Sequence, residues 1–85
     1  MAITLTVTHP NGGVEIQTEP DWSIGYLKLK AVEKTPKLDM VSGMVLHDLV
    51  KSGEVLKLKS KVSECGLVDG DTLLLERKHG TVVNI

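Results

Sequence analysis

Three histidines, His9, His47 and His79, and a single cysteine, Cys65, are the side chains of this 85-residue chain best suited to proton transfer, metal ligation or nucleophilic attack. The histidines stand far apart at no spacing that metal sites use, and no second cysteine or closely placed carboxylate completes a ligand set. Neither a metal nor a cofactor is expected. His47 lies in an apolar run, where it reads as a buried or half-buried hydrogen-bonding residue. Cys65 falls between Val62 and Leu67, where burial as a small hydrophobe fits better than use as a nucleophile. No Ser-His-Asp or Cys-His arrangement can be argued, so an enzyme is not expected. Glu64, Asp69 and Asp71 surround a turn but lack the spacing and the bidentate Glu of a calcium loop, which leaves a solvated turn. Lys57, Lys59 and Lys61 alternate with Leu58 and Val62, so in an extended segment they point together into solvent and discourage edge-to-edge pairing.

Recognition chemistry is carried by a different group. Trp22, Tyr26 and Leu29 are four and three residues apart and share one helix face, and the chain's aromatic residues, Trp22 and Tyr26, both fall in it. Aromatic anchors are enriched in binding hot spots. A local role is also open, with Trp22 folding over the helix start as a staple.

The balance of 10 Lys and Arg against 11 Asp and Glu creates no long-range field to gather a polyanion, so nucleic acid is not an expected partner. One cysteine fits a reducing compartment, and the chain reads as cytoplasmic. Residues from Met1 to Val7 alternate apolar with Thr and have no basic start, unlike a secretory signal. The run near Met40 to Leu46, broken by Ser42 and Gly43, falls far short of the roughly 20 residues a membrane helix needs, so no membrane association is expected. Length and aliphatic content suit one core and one domain.

The elements that must position these residues follow from periodicity. Ile3, Leu5 and Val7 alternate with Thr4, Thr6 and Thr8, the signature of a strand with one buried face. Asn11-Gly12 suits a tight hairpin turn, and Val14 to Thr18 is expected to pair back antiparallel. Asp21 and Ser23 mark a helix start; the helix runs from about Ser23 to Lys34, with Ile24, Leu27, Ala31 and the stem of Lys28 on the core side, and Pro36 ends it. Residues 37–43 read as a connecting loop from which Met40 and Val41 tuck under the sheet. Val45, Leu46, Leu49 and Val50 fit either a helix or a strand. Gly53 makes a turn, Val55 to Leu58 is extended, Val62 to Leu67 packs as a connector, and Thr72 to Leu75 is a strand after the Asp69-Gly70-Asp71 turn.

Three stretches, ITLTV with VEIQTEP and WSIGYLKLKA, then LVKSGEVL, then VSECGLVDGDTLLLERK, resemble ubiquitin-like proteins over nearly the whole chain. The third is the most specific, with Val62, Leu67, Thr72, Leu73 and Leu75 matching the family pattern and Gly53 and Leu56 at the family spacing before it. The resemblance implies an α+β β-grasp fold, a mixed four- to five-stranded sheet crossed by one α-helix, spanning residues 1–79 with 80–85 as a tail or linker. It also assigns Leu46 to Val50 to the third strand. The helix-to-strand connection is a few residues longer than in ubiquitin.

For function, the resemblance implies a protein-interaction domain. Conjugated relatives end in a diglycine; here Arg77, Lys78, His79, Gly80, Thr81 and Val82 stand in that place, so a non-conjugated adaptor is expected, either a monomer or the amino-terminal domain of a longer protein, binding a protein partner of unknown identity. The family's aliphatic sheet patch maps to His9, Val50 and Glu76, with Leu74 and Lys78 beside it. Sheet-face binding through Val50, Leu74, Lys78 and His9, or helix-face binding through Trp22, Tyr26 and Leu29, follows. A processed modifier or carrier is the second reading. The third rests on Ser63-x-Cys65-Gly66-Leu67-x-x-Gly70-Asp71, which is similar to small ubiquitin-like subunits of bacterial secretion systems.

Overall fold

The computed structural model describes residues 2–78. His79 and the tail at 80–85 lie outside the described residues. Strand β1 (Ile3–Thr8) buries Leu5 and Val7 and turns its threonines outward. It pairs antiparallel with β2 (Val14–Thr18), Val7 opposite Val14. The connection is longer than a two-residue hairpin. Pro10 and Asn11 centre a turn closed by the Gly12 amide on the His9 carbonyl at 2.8 Å, and Gly12 alone takes the positive φ, +138°.

Helix α1 (Ile24–Lys34) is capped by Ser23, whose hydroxyl accepts from the Tyr26 amide at 3.1 Å. The next two orphan amides, of Ile24 and Gly25, donate to the carbonyls of Ser60 and Leu58. The helix start is thereby stitched to the segment before the last strand, which solves the unpaired-amide problem of any helix N-terminus. Ser23→Ala should cost about 1 kcal/mol, measured by urea denaturation; a cost near zero would show that the backbone stitches alone define the start.

Ile24, Leu27, Lys28, Ala31 and Val32 form the buried face of α1. That face lies on Leu5, Val7, Ile16, Leu49, Leu73 and Leu75 from the sheet, and Val62 and Leu67 close the core from the connector. The core is wholly aliphatic, with Trp22 packed at its edge.

The chain then departs from the expected loop. Residues Met40–Val45 form a second, short helix, α2, with Asp39 as N-cap accepting from the Ser42 amide at 3.1 Å. Met40 and Val41 do not tuck under the sheet; they are exposed, and Gly43 is the buried residue. Side chains are kept out at Gly43 because a Cβ there would stand 2.5 and 2.8 Å from the Val32 methyls. A six-residue helix holding Gly and two Val has little propensity of its own; packing on α1 and the Asp39 cap make it.

Strand β3 (His47–Lys51) starts one residue later than the expected Leu46, since Leu46 is the C-cap of α2 and donates to the Ser42 carbonyl. Ser52 and Gly53, at φ +53° and +81°, turn it into β4 (Glu54–Val55), and both positive angles suit the tight hairpin. Extension stops there: Leu58 lies in a turn and is exposed. A single 3₁₀ turn, Val62–Cys65, leads to β5 (Thr72–Arg77). Strand order is β2-β1-β5-β3-β4, with β5 parallel to β1 and antiparallel to β3. The architecture is α+β, a five-stranded mixed sheet crossed by α1, with α2 added in the long connection.

Candidate functional site

Outer-face residues follow from the register. Val50 lies opposite Leu74, which is beside Thr8 of β1, and Asp48 lies opposite Glu76. Val50 and Leu74 thus form one cross-strand pair on the solvent face, but unequally: Leu74 is 38% exposed and Val50 only 5%. The apolar area available to a partner here is that of Leu74 and of Val55, which lies opposite Val50 on β4 and is 54% exposed. Lys78 reaches Asp48 at 3.9 Å, a long ion pair at a half-exposed site and hence of small worth. A hollow of about 360 Å³ beside Leu74 is walled by His9, Pro10, His47, Glu76 and Arg77.

His9 and His47, 38 residues apart, meet at this hollow. Their Nε2 atoms are 3.4 Å apart and their ring centroids 5.3 Å, tilted by 49°. His47 is buried, as expected, and its Nδ1 is 2.9 Å from the Ser42 carbonyl. His9 Nδ1 accepts from the Asn11 amide at 3.0 Å. Burial first, then the neighbouring His47, hold the His9 imidazole below its usual range. Sequence spacing carries no trace of this contact. Among the described residues, no group of three or more His, Cys, Asp or Glu side chains could hold a metal ion.

The helix-face residues are brought together in part. Trp22 and Tyr26 meet edge to face, centroids 4.7 Å apart at 86°, a favourable aromatic geometry. Tyr26 is 41% exposed, and Lys30 Nζ stands 5.3 Å from the centre of its ring. Trp22 is half-buried against the core, and Leu29 is half-buried one turn further along. A groove of about 440 Å³ runs from Trp22 between α1 and β2, lined mainly by polar side chains such as Glu15, Gln17, Lys30 and Lys34.

The remaining chemical candidates have structural duties. Cys65 is half-buried at the end of the 3₁₀ turn, and burial pushes its thiol up, away from a reactive thiolate. The acidic turn is more than solvated. Asp69 Oδ1 accepts from the Thr4 amide at 2.7 Å. Asp71 accepts from the Val68 amide at 3.0 Å and pairs with Lys51 at 3.0 Å; the amide bond first and Lys51 second hold its carboxyl below the usual range. Lys57, Lys59 and Lys61 are exposed as expected, although not along one strand: Lys59 lies in a turn and Lys61 bridges to Ser23.

A helix crossing a five-stranded sheet of this order and register is the ubiquitin-like β-grasp, and this chain has that fold. Solved structures agree along nearly the whole length. The ubiquitin-like domain of Plasmodium falciparum Dsk2 superposes with a TM-score of 0.77 at 24% identity, covering 92% of this chain and 100% of that one. The C-terminal ubiquitin-like domain of human 2'-5'-oligoadenylate synthetase-like protein superposes at 0.73 with 26% identity, covering 99% and 92%. Ubiquitin of Caldiarchaeum subterraneum superposes at 0.73 with 20% identity, covering 94% and 99%. No protein-family model and no curated protein sequence matches the chain. No helix among the described residues is long and apolar enough to cross a membrane.

Proposed function

We propose that this chain is a non-conjugated, non-enzymatic ubiquitin-like adaptor domain of the cytoplasm that binds a protein partner on its sheet face, with Leu74 as the anchor. The observation that carries the reading is the hollow beside Leu74, an exposed apolar residue that shares the outer face with Val50 and the exposed Val55 among Thr, Asp and Glu side chains. Val50 shapes the floor beneath a partner, and His9 and Lys78 form its polar rim. Such a small apolar centre inside a polar rim is how transient interfaces are built. The segment after β5 reads Lys78-His79-Gly80-Thr81, without the diglycine of conjugated relatives, which supports the non-conjugated reading.

The helix face is the second site, favoured by the exposed Tyr26 ring stacked on Trp22. Variants separate the two. Retention of partner proteins on immobilised domain should fall about tenfold, roughly 1.4 kcal/mol, with Leu74→Asp and stay unchanged with Tyr26→Ala; the reverse order would move the site to the helix. Incubation with extract and ATP should leave the chain unattached, and a ladder of adducts would establish the modifier reading instead.

A further inference from the structure

The two ends of the histidine contact are anchored by backbone groups of opposite polarity. The Asn11 N–H can only donate, so His9 Nδ1, 3.0 Å away, must be bare, and a neutral His9 carries its hydrogen on Nε2. The Ser42 carbonyl can only accept, so His47 Nδ1, 2.9 Å away, must carry the hydrogen and leave Nε2 bare. The tautomers set at each end are thus the ones that let His9 Nε2–H donate to His47 Nε2 across 3.4 Å. An additional proton has only two places to go. On His9 Nδ1 it opposes the Asn11 N–H, and on His47 Nε2 it opposes the His9 N–H. A metal ion held by both Nε2 atoms fails for the same reason, because it would drive a proton onto His9 Nδ1.

We propose that the His9–His47 pair is a proton-sensitive latch, which ties the β1–β2 turn to the start of β3 and the end of α2 while both rings are neutral and lets go when either takes up a proton. The turn has little else to hold it on that side: the Asn11 side-chain amide donates to the Pro36 carbonyl at 2.9 Å. Because His9 and His47 wall the hollow beside Leu74, opening the latch reshapes the proposed partner site. The latch itself does not depend on that site's being used.

Charged groups lie on the elements around the pair. Glu76 and Arg77 of β5 share the hollow with it. Asp48 of β3 is paired with Lys78, and Lys28 of α1 stands near both. Lys37 and Asp39 lie in the connection to α2, where Asp39 is engaged as the N-cap. The net shift of His9 is downward, from burial first and His47 second. With the folded value below the unfolded 6.5, the unfolded chain binds more protons as pH falls below that value. The latch therefore stabilises the fold fully above about pH 6.5 and is lost as pH falls further through the folded value.

Long-range proton–nitrogen spectra of the full chain at pH 7.5 should show His9 as the Nε2–H tautomer and His47 as the Nδ1–H tautomer. On acidification His9 should titrate below 6.5, and the amides of residues 9, 11–13 and 42–47 should move with the same midpoint. The drop in melting temperature from pH 7.5 to 5.5 should be smaller in His9→Ala than in the wild type. A His47 ring in the Nε2–H form, or His9 titrating with residues 42–47 silent, would overturn the latch even if Leu74 proves to bind a partner. The tautomers of the wild type decide the matter even where a variant folds poorly.

Discussion

Lys28→Ala should destabilise the domain by about 3 kcal/mol, whereas Lys28→Met should cost about 1 kcal/mol. Lys28 lies on the buried face of α1, its side chain 1% exposed, and its ammonium donates to the Met44 carbonyl at 2.7 Å. That carbonyl belongs to the last turn of α2, where the helix leaves its final acceptors unpaired and its dipole favours a cation. Desolvation, then Lys78, push the ammonium below its usual range, and Asp48 opposes them. Alanine removes about three buried methylenes at ~0.8 kcal/mol each and leaves the carbonyl without its donor, at about 1–3 kcal/mol; relief of a buried charge returns part of the sum. Methionine keeps the packing and loses only the bond. Urea denaturation of both variants reads the difference, and hydrogen exchange at the Gly43 and Leu46 amides should quicken in both. Equal small losses would mean that the stem is not part of the core.

Gly43→Ala should also destabilise, by about 2 kcal/mol, although Ala is ordinarily better than Gly inside a helix by about 1 kcal/mol. The added methyl meets Val32 at 2.5 and 2.8 Å and Leu38 at 3.2 Å. Val32 is β-branched and stiff, so α2 must move away from α1, and overpacking costs of this kind run to about 1–3 kcal/mol. The clash has a signature. Val32→Ala opens a cavity in the wild type but makes room in the Gly43→Ala background, so the two changes should be less costly together than their sum. Strict additivity in the double-mutant cycle would place the helices further apart than described.

These two sites mark where the sequence was readable and where it was not. The Ile3-Leu5-Val7 alternation and the Ile24-Leu27-Ala31 stripe carry their own period, so β1 and α1 are visible in the residues alone. The Trp22–Tyr26 contact is equally local, an i,i+4 spacing. Helix α2 does not show in residue types, Val41, Gly43 and Val45 being poor helix formers, because what makes it is the Asp39 cap and the approach of Gly43 to Val32. Resemblance located Val50 on the sheet face, while its near-complete burial depends on neighbours that spacing does not reveal. The bond from Thr4 to Asp69 joins residues 65 apart, and His9 meets His47 across 38. A turn or a strand can be read from residue types; which distant groups it brings together is decided by the register of β1 against β5 and of β3 against β5.

Amide-shift mapping of the labelled chain, titrated with a partner that the wild type retains and Leu74→Asp does not, tests the sheet-face account most directly. The perturbed amides should centre on residues 9, 48–50 and 74–78, with Trp22, Tyr26 and Lys30 unmoved. Perturbations centred on Trp22, Tyr26 and Lys30, with Leu74 silent, would contradict it.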